Sequence, residues 1–315
     1  MSRTTDDPRP PVAADARTRI GFIGLGAMGS RIAGRLLDAG HPVSATNRTA
    51  AKARPLIERG LVWLGSPREV AASTDVVLSM VTDDDALDAI ATGPDGLLAG
   101  VRAGQVYADM RTVSPQASRQ LAERLAARGA HMLDARSPAA SRRPRAEPSR
   151  SWSAVTPHAF AAVEPLLREL GRAVTHVGPN GQGLVLKLAI NISLAVQTLA
   201  FSEGLVLAER AGVDPDVAAE VMSTSSIGSP MLKARTPLLL HLPDHAWFDV
   251  ELMQKDIRLA RQTAADLHIP PPSAAVADQI LGEARHLGYG HRDLAALHDV
   301  IAGRSSSDAA EARHA

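Results

Sequence analysis

The stretch that decides the fold runs from Ile20 to Gly29 and reads IGFIGLGAMG. An apolar run, Ile20 to Ile23, leads directly into three glycines at positions 24, 26 and 29. Beyond them, apolar residues recur at the spacing of a helix until Gly40 ends the pattern. The sequence therefore predicts a strand, a glycine turn and a helix, in that order.

The spacing G-x-G-x-x-G is typical of a turn that binds the pyrophosphate of a dinucleotide. The first glycine permits the tight turn, the second lets the backbone approach the pyrophosphate, and the third allows close packing of helix on strand. The helix amino terminus then supplies amide donors to the phosphates. A chance glycine cluster is the alternative, but it would not explain the flanking strand and helix. The predicted cofactor-binding residues of the turn are Gly24, Gly26, Ala27, Met28 and Gly29.

The second predicted strand ends at Asn47-Arg48-Thr49, where NAD-binding sites usually place an acidic residue for the ribose hydroxyls. No carboxylate is present there, and Arg48 offers a planar guanidinium that can pair with a 2′-phosphate. The segment therefore favours NADP over NAD, with Asn47, Arg48 and Thr49 as predicted contacts. An ordinary solvated arginine at position 48 is the alternative that this arginine-rich sequence leaves open.

Predicted strands alternate with helices from residue 19 to about residue 134, which specifies a parallel sheet covered on both faces. Beyond Gly178-Pro179 the pattern is wholly helical and opens with one long helix from Gly181 to Ala211. The predicted fold class is α/β, with an N-terminal Rossmann domain and an all-α C-terminal domain joined by this long interdomain helix. The predicted divisions are a disordered tail at 1–18, the Rossmann domain at 19–179, a helical substrate and dimerisation domain at 180–303 and a disordered tail at 304–315.

The composition of the 315 residues excludes several classes of protein. The absence of cysteine excludes thiol catalysis, cysteine-ligated metals and disulfides. The balance of 34 basic and 34 acidic residues, with 3% aromatic residues, argues against a nucleic-acid partner. The histidines show no metal-ligand spacing such as H-E-x-x-H, so we expect no metal site.

The sequence also predicts where the protein works and with what partner. No secretory signal is visible, and the most apolar segment, Leu188 to Ser202, is uncharged for only 15 residues. A membrane span needs about 20 apolar residues, so we expect a soluble, cytoplasmic protein without a membrane partner. The apolar stretch from Leu184 to Leu207 exceeds what a small helical domain can cover, which predicts a homodimer.

Lys187 is the candidate proton donor. The chain has only four lysines, and this one lies near the start of an otherwise apolar helix. Reduction of a carbonyl by a nicotinamide needs a hydride from the cofactor and a proton for the developing alkoxide. Desolvation would lower the pKa of Lys187 toward the operating range, and Asn191, four residues on, shares its helical face. A lysine at the edge of the core, with its ammonium in water, is the alternative.

These motifs, with others along the chain, resemble the β-hydroxyacid dehydrogenase family, which includes 3-hydroxyisobutyrate dehydrogenases and glyoxylate or succinic semialdehyde reductases. The resemblance runs from about Ile20 to Ile301. Its segments are GFIGLGAMG (21–29), NRT (47–49), MVTD (80–83), DMRT (109–112), HVGPNGQGLVLKLAIN (176–191), FDVELMQKD (248–256) and GYG (288–290). It implies oxidation or reduction of a hydroxyl or carbonyl group β to a carboxylate.

The resemblance also implies a set of site residues. Lys187 and Asn191 correspond to the catalytic pair of a G-x-x-x-K-x-x-x-N pattern that begins at Gly183. Lys255 corresponds to a lysine that approaches the cofactor, Asp256 to an aspartate that closes the site, and Phe248 to an aromatic residue that lines the pocket. The remaining candidates are Met80, Val81, Thr82 and Thr112 for the cofactor, and Thr112 and Ser137 for the substrate.

The chain departs from the family after Asp134-Ala135. Family members continue with Pro-Val-Ser-Gly-Gly, which binds the substrate carboxylate, whereas this chain reads RSPAASRR at 136–143. The expected serine falls on Pro138, which has neither a hydroxyl nor an amide donor. Arg111 likewise replaces a serine before Thr112.

Three interpretations of this departure remain open. In the first, the substrate is larger or more acidic and is held by Arg136, Arg142 or Arg143. In the second, the protein binds a dinucleotide without catalysis. In the third, it is an imine reductase-like enzyme, although such enzymes generally lack a lysine at the position of Lys187. The arginines of 136–145 can also form a merely solvated loop. The prediction that agrees with most of the sequence is an NADP-dependent oxidoreductase acting on the CH–OH or carbonyl group of a small acidic substrate.

Overall fold

The computed structural model describes residues 18–26, 28–136, 150–154, 157–171 and 173–303. The chain divides into two compact units, Met1–Leu186 and Lys187–Ala315. This division falls within the long helix, beyond the predicted boundary at 179–180.

Eight strands of the first unit form one sheet in the order β3-β2-β1-β4-β5-β6-β7-β8. Strands β1 to β6 run parallel, and β7 is antiparallel to β6 and parallel to β8. The strands are β1 Ile20–Ile23, β2 Val43–Thr46, β3 Val62–Trp63, β4 Val76–Ser79, β5 Val106–Asp109, β6 His131–Arg136, β7 Arg150–Ala154 and β8 Ala173–Gly178. The predicted α/β class with a parallel sheet is confirmed, and the reversal at β7 is a feature that the strand and helix pattern did not predict.

Helices cover both faces of this sheet, which explains why its central strands are apolar throughout. In β4, Val76 and Leu78 lie in one hydrophobic cluster and Val77 in the other, so alternate side chains are buried on opposite faces. The helices are α1 Gly29–Asp38, α2 Arg54–Ile57, α3 Pro67–Ser73, α4 Asp84–Ala91, α5 Leu97–Gly100, α6 Pro115–Ala126 and α7 Pro157–Leu170.

Proline positions explain two differences from the predicted elements. A single helix was expected from Ala50 to Arg59, but the chain forms a 3-10 helix at Ala50–Ala53 and only then the short α2. Pro55 has no amide hydrogen and its ring crowds the preceding turn, which disfavours one continuous α-helix through this segment. Conversely, the helix Pro230–Leu240 was not predicted, although it contains Pro237.

The second unit is helical throughout the part that the structure describes. Its helices are the greater part of α8 Gln182–Arg210, then α9 Pro215–Thr224, α10 Pro230–Leu240, α11 Val250–Asp266, α12 Pro272–His286 and α13 Leu297–Ile301, with a 3-10 helix at Leu294–Ala296. Helices α11 and α12 pack against each other around Met253, Ile257 and Leu281. Carboxylate and hydroxyl side chains cap α9, α10 and α11 at their amino ends.

Helix α8 is 29 residues long and has a mean hydropathy of 1.8 in its most apolar window. The prediction that this segment is too short for a membrane span rests only on its uncharged centre. By length and composition alone, the whole helix is long and apolar enough to cross a membrane. The same measures are met by core helices of soluble proteins. Polar side chains of α8 are fully buried at Asn191, Thr198 and Ser202, which is typical of a helix packed in a protein core.

The start of α8 is bound to the end of β6 by one buried carboxylate. Asp134 Oδ2 accepts a hydrogen bond from the Leu184 amide at 2.8 Å, and Oδ1 accepts one from the Gly181 amide at 3.3 Å. A Cβ atom at Gly183 would lie 2.6 Å from Oδ2. The glycine is therefore required for this close approach, and the carboxylate satisfies amides that the helix itself leaves unpaired.

We expect Asp134→Ala to lower the free energy of unfolding by about 2–4 kcal/mol, because it removes a cap and leaves buried amides unpaired. Asp214→Ala is the matched control: Asp214 caps α9 through the amides of Asp216 and Val217, but it is exposed. We expect the control to cost only about 0.5–1 kcal/mol. Urea denaturation of both variants measures the difference, and equal costs would contradict a dependence on Asp134.

Candidate functional site

The glycine turn between β1 and α1 has three different steric requirements. Gly24 has φ +98°, and a Cβ there would lie 2.6 Å from the Met80 carbonyl oxygen. A Cβ at Gly29 would lie 2.0 Å from the Gly24 carbonyl oxygen. A Cβ at Gly26 would meet no protein atom within 4 Å. The first and last glycines are thus required by the protein itself, whereas Gly26 borders open space.

This turn fits the pyrophosphate of a nicotinamide dinucleotide. The open space at Gly26 is room that a ligand can take close to the backbone. No side chain caps α1 at Met28, and no acidic residue lies in the first turn of the helix. The helix terminus therefore presents its positive dipole end to an anion, with no side-chain carboxylate competing for it. Ala27, the remaining predicted residue of the turn, lies outside the described residues.

In the segment after β2, Asn47 binds the backbone and Arg48 is exposed to solvent. Asn47 Oδ1 accepts from the Leu25 amide at 3.0 Å, and Asn47 Nδ2 donates to the Thr49 carbonyl at 2.9 Å. Asn47 thereby holds the glycine turn against the end of β2. Arg48 and Thr49 are exposed, and Arg48 forms no ion pair with any residue in the described ranges. Arg48 is therefore the side chain of this segment that is available to a ligand.

The carboxyl ends of β4 and β5 carry the next predicted residues. Met80 is buried and donates its amide to the Ile23 carbonyl at 2.9 Å, while Val81 is half-buried and Thr82 exposed. Thr112 follows β5 and is 8% exposed. Because parallel strands end at the same edge of a sheet, these residues lie along the edge that also carries the glycine turn.

A buried polar chain, not predicted from the sequence, supports this edge. Ser79 Oγ donates to Asp109 Oδ1 at 3.2 Å, so the Tyr107 hydroxyl, 2.6 Å away, donates to Ser79. Burial and the nearby Asp109 carboxylate raise the pKa of Tyr107 well above its ordinary value, which keeps the phenol protonated. Asp109 Oδ1 also accepts from the Arg111 amide at 3.1 Å, which fixes the turn after β5.

In the second unit, α8 carries Lys187 and Asn191 one helical turn apart. Lys187 is half-buried, and its Nζ lies 6.0 Å from the centre of the Phe248 ring. Asn191 is fully buried, and its Nδ2 donates to Asp256 Oδ2 at 2.6 Å. Lys255 Nζ lies 3.2 Å from Asp256 Oδ1. The structure therefore brings together the five residues predicted for this part of the site.

The contact between Asn191 and Asp256 decides which way the asparagine amide faces. An ionised carboxylate only accepts hydrogen bonds, so the NH₂ group of Asn191 must face Asp256. Asn191 Oδ1 then faces away, and it is buried without a hydrogen-bond partner among the described residues. A buried unpaired acceptor is costly, which indicates that a donor from elsewhere completes it.

Asp293 fixes the backbone that presents the Phe248 ring. It is fully buried, and its Oδ2 accepts from the amides of Trp247 at 2.7 Å and Phe248 at 3.1 Å. Its Oδ1 pairs with Arg235 at 2.7 Å. No local sequence pattern marked Asp293 for this role, although the resemblance includes it together with the neighbouring Gly288-Tyr289-Gly290.

The remaining substrate candidates lie in or next to a segment outside the described residues. Ser137, Arg142 and Arg143 lie outside the described residues, and Arg136 is described only as part of the β6 backbone. Within the described ranges, no group of three His, Cys, Asp or Glu side chains is arranged to hold a metal ion.

Comparison with known families accounts for both units. Residues 19–178 match the family described as the NAD binding domain of 6-phosphogluconate dehydrogenase. Residues 181–301 match the family described as NAD-binding of NADP-dependent 3-hydroxyisobutyrate dehydrogenase. The chain is 30% identical to glyoxylate/succinic semialdehyde reductase 2 of Arabidopsis thaliana, over 92% of this chain and 81% of that protein. The chain belongs to the β-hydroxyacid dehydrogenase family.

A second relative agrees with this assignment, and solved structures share the fold. The chain is 31% identical to 3-hydroxyisobutyrate dehydrogenase of Pseudomonas aeruginosa, over 89% of this chain and 98% of that protein. The structure of the Mycobacterium tuberculosis 3-hydroxyisobutyrate dehydrogenase with L-serine shares the fold, with a TM-score of 0.78 and 24% identity over 90% of this chain and 99% of that chain. An imine reductase of Myxococcus stipitatus in complex with NADP+ has a TM-score of 0.60 and 20% identity, over 89% of this chain and 98% of that chain.

As a β-hydroxyacid dehydrogenase family member, the chain is a hydride-transfer oxidoreductase that uses a nicotinamide dinucleotide. Some neighbouring structures contain NADP+ and another contains NAD+, so the comparisons establish NAD(P) binding without choosing between the two.

We expect Gly26→Ala to weaken NADPH binding at least tenfold while the free energy of unfolding stays within about 0.5 kcal/mol of wild type. The reason is that the added methyl group meets no protein atom but takes the space beside the turn. Gly290→Ala is the matched control, because its Cβ would meet only Arg285 Cγ, at 3.9 Å. Fluorescence titration with NADPH and urea denaturation measure the two effects; unchanged NADPH affinity in Gly26→Ala would remove Gly26 from the binding site.

Proposed function

We propose that this enzyme reduces the carbonyl group of a small carboxylic acid with NADPH, or oxidises the corresponding alcohol with NADP+, and that Lys187 transfers the proton. The observation that carries the proposal is the cluster on α8 and α11. Lys187 lies against the Phe248 ring, one turn from a buried asparagine whose amide is oriented by Asp256. An amine positioned beside a polar acceptor and an aromatic wall is suited to exchanging a proton with a substrate oxygen.

The choice of NADP rests on the end of β2. Arg48 is exposed and free of ion pairs among the described residues, and no carboxylate stands at 47–49 to bind the ribose hydroxyls. A carboxylate would repel a 2′-phosphate, whereas a guanidinium pairs with it through charge-assisted hydrogen bonds. The same guanidinium offers nothing comparable to the neutral ribose of NAD. We therefore assign the 2′-phosphate of NADP to Arg48.

The bound nicotinamide supplies the hydride, and the protein supplies the remaining parts of the reaction. The glycine turn and the start of α1 hold the pyrophosphate, and Lys187 gives its proton to the oxygen of the reduced carbonyl. Asn191 Oδ1, which faces away from Asp256 and has no partner among the described residues, accepts from the substrate hydroxyl. In the oxidative direction Lys187, as the neutral amine, takes the hydroxyl proton.

The substrate class follows from the named relatives. The names of those relatives contain glyoxylate, succinic semialdehyde and 3-hydroxyisobutyrate. Each of these compounds carries both a carboxylate and an aldehyde or hydroxyl group. We propose a substrate with the same pair of groups for this chain.

We further propose that the enzyme is a cytoplasmic homodimer without nucleic-acid or membrane partners. Helix α8 leaves apolar side chains in water at Leu186, Ile190 and Leu207, the last 72% exposed. Exposed apolar side chains on a long helix are typical of an interface. A second copy of the chain is the partner that we assign to it, as the length of the apolar helix predicts.

We expect Arg48→Ala to lose about 1–3 kcal/mol of NADPH binding, the range for a charge-assisted hydrogen bond, and to leave NADH binding unchanged. Arg68→Ala is the matched control, because Arg68 is an exposed arginine at the start of α3 and forms no ion pair within the described chain. Fluorescence titration with both nucleotides measures the effect. Equal losses for NADPH and NADH would show that Arg48 does not read the 2′-phosphate.

We expect Lys187→Ala to reduce kcat roughly 10²–10⁴-fold, the usual contribution of a general acid or base, with the Kd of NADPH within a few-fold of wild type. Lys233→Ala, at an exposed lysine of α10, is the matched control and should retain full activity. Added ethylamine should partly restore the rate of Lys187→Ala, since it replaces the missing ammonium. A rate unchanged in Lys187→Ala, with the native melting temperature, would refute the assignment.

A further inference from the structure

Arg111 is a half-buried cation for which the described residues supply no anion. Its Nε is buried and has no hydrogen-bond partner among them, and it takes part in no ion pair with them. Arg235, by contrast, is buried and pairs with Asp293 at 2.7 Å. Withdrawing part of a guanidinium from water without a partner is costly, which indicates an anionic ligand at Arg111.

Asp109, the carboxylate two residues before Arg111, already accepts other hydrogen bonds. Asp109 Oδ1 accepts from the Ser79 hydroxyl and from the backbone amide of Arg111. It forms no ion pair with the Arg111 guanidinium in the described structure. Asp109 therefore holds the backbone at Arg111 in place and leaves the positive charge of the side chain for another group.

The backbone position of Arg111 places it in the second half of the dinucleotide fold. It follows β5, at the carboxyl edge of the sheet, where open α/β sheets bind their ligands. The glycine turn after β1 and Arg48 after β2 belong to the half that takes the pyrophosphate and the phosphorylated ribose. The half that includes β4 and β5 takes the nicotinamide, beside which the substrate must react.

We propose that Arg111 binds the carboxylate of the substrate, an inference that rests on the proposed function. The planar fork of a guanidinium matches the two oxygens of a carboxylate. Arg111 occupies a position at which the family has a serine. In the same chain, the segment 136–143 has no serine at the position where the family has one, and it has no glycine. Arg111 thus supplies by charge the recognition that this segment no longer offers, and it selects carboxylate-bearing aldehydes over uncharged ones.

The test compares succinic semialdehyde with butanal, a four-carbon aldehyde without the carboxylate. In Arg111→Ser we expect the KM for succinic semialdehyde to rise about 10- to 100-fold, with kcat within threefold, because a charge-assisted contact is lost. The kcat/KM for butanal should not fall, and Arg111→Lys should recover part of the affinity. Arg128→Ser is the matched control, because Arg128 follows α6, is exposed and contacts only the Arg124 carbonyl.

A binding measurement separates this inference from the proposed function. Calorimetric titration of succinate into the wild-type NADPH complex needs no turnover, and we expect its Kd to be about 10- to 100-fold lower than in Arg111→Ser. If neither aldehyde is turned over but this difference holds, the substrate assignment fails and the carboxylate site stands. Equal succinate affinity in both proteins, no binding by wild type, or a parallel loss of NADPH affinity in Arg111→Ser would overturn the proposal.

Discussion

The buried carboxylate of Asp134 is the contact on which the start of helix α8 depends. It lies in β6 and accepts hydrogen bonds from the amide of Gly181, just before α8, and from the amide of Leu184 in its first turn. Lys187 and Asn191 follow Leu184 on the same helix. Gly183 is required because any larger residue would displace the carboxylate.

A second constraint comes from the parallel strands. Because β1 to β6 end at one edge, residues distant in the sequence come together there: the glycine turn, Asn47 and Arg48, Met80, and Arg111 with Thr112. The glycine turn is held by partly buried Asn47, and the turn at Arg111 by buried Asp109. Thus polar side chains that bind no ligand hold in place the residues proposed to bind one.

The sequence predicted the features that depend on local pattern. The glycine spacing, the alternation of strands and helices and the long helix of α8 each follow from neighbouring residues, and the spacing of Lys187 and Asn191 follows from helix geometry. It did not predict the reversed direction of strand β7, the 3-10 helix before Pro55 or helix α10. In those places turn geometry and packing decide the backbone, and local pattern does not encode them.

The roles of Asn47, Asp134, Asp109 and Asp293 also escaped prediction, for a common reason. Each accepts backbone amides or side-chain donors that lie on other elements, and no periodicity encodes such a contact. The resemblance to a family includes all four of these residues and Asp256, but it gave none of their partners. The orientation of the Asn191 amide, in particular, required the position of Asp256.

The central claim is that hydride from NADPH reaches the carbonyl carbon of a small acid while Lys187 supplies the proton. Transfer of deuterium from NADPH labelled at the C4 position of the nicotinamide tests this most directly, with glyoxylate and succinic semialdehyde as acceptors and mass spectrometry as the readout. The account predicts one deuterium on the carbinol carbon of the product for each nucleotide oxidised, at a rate that falls sharply in Lys187→Ala. Tight binding of NADPH with no deuterium in either product would contradict it.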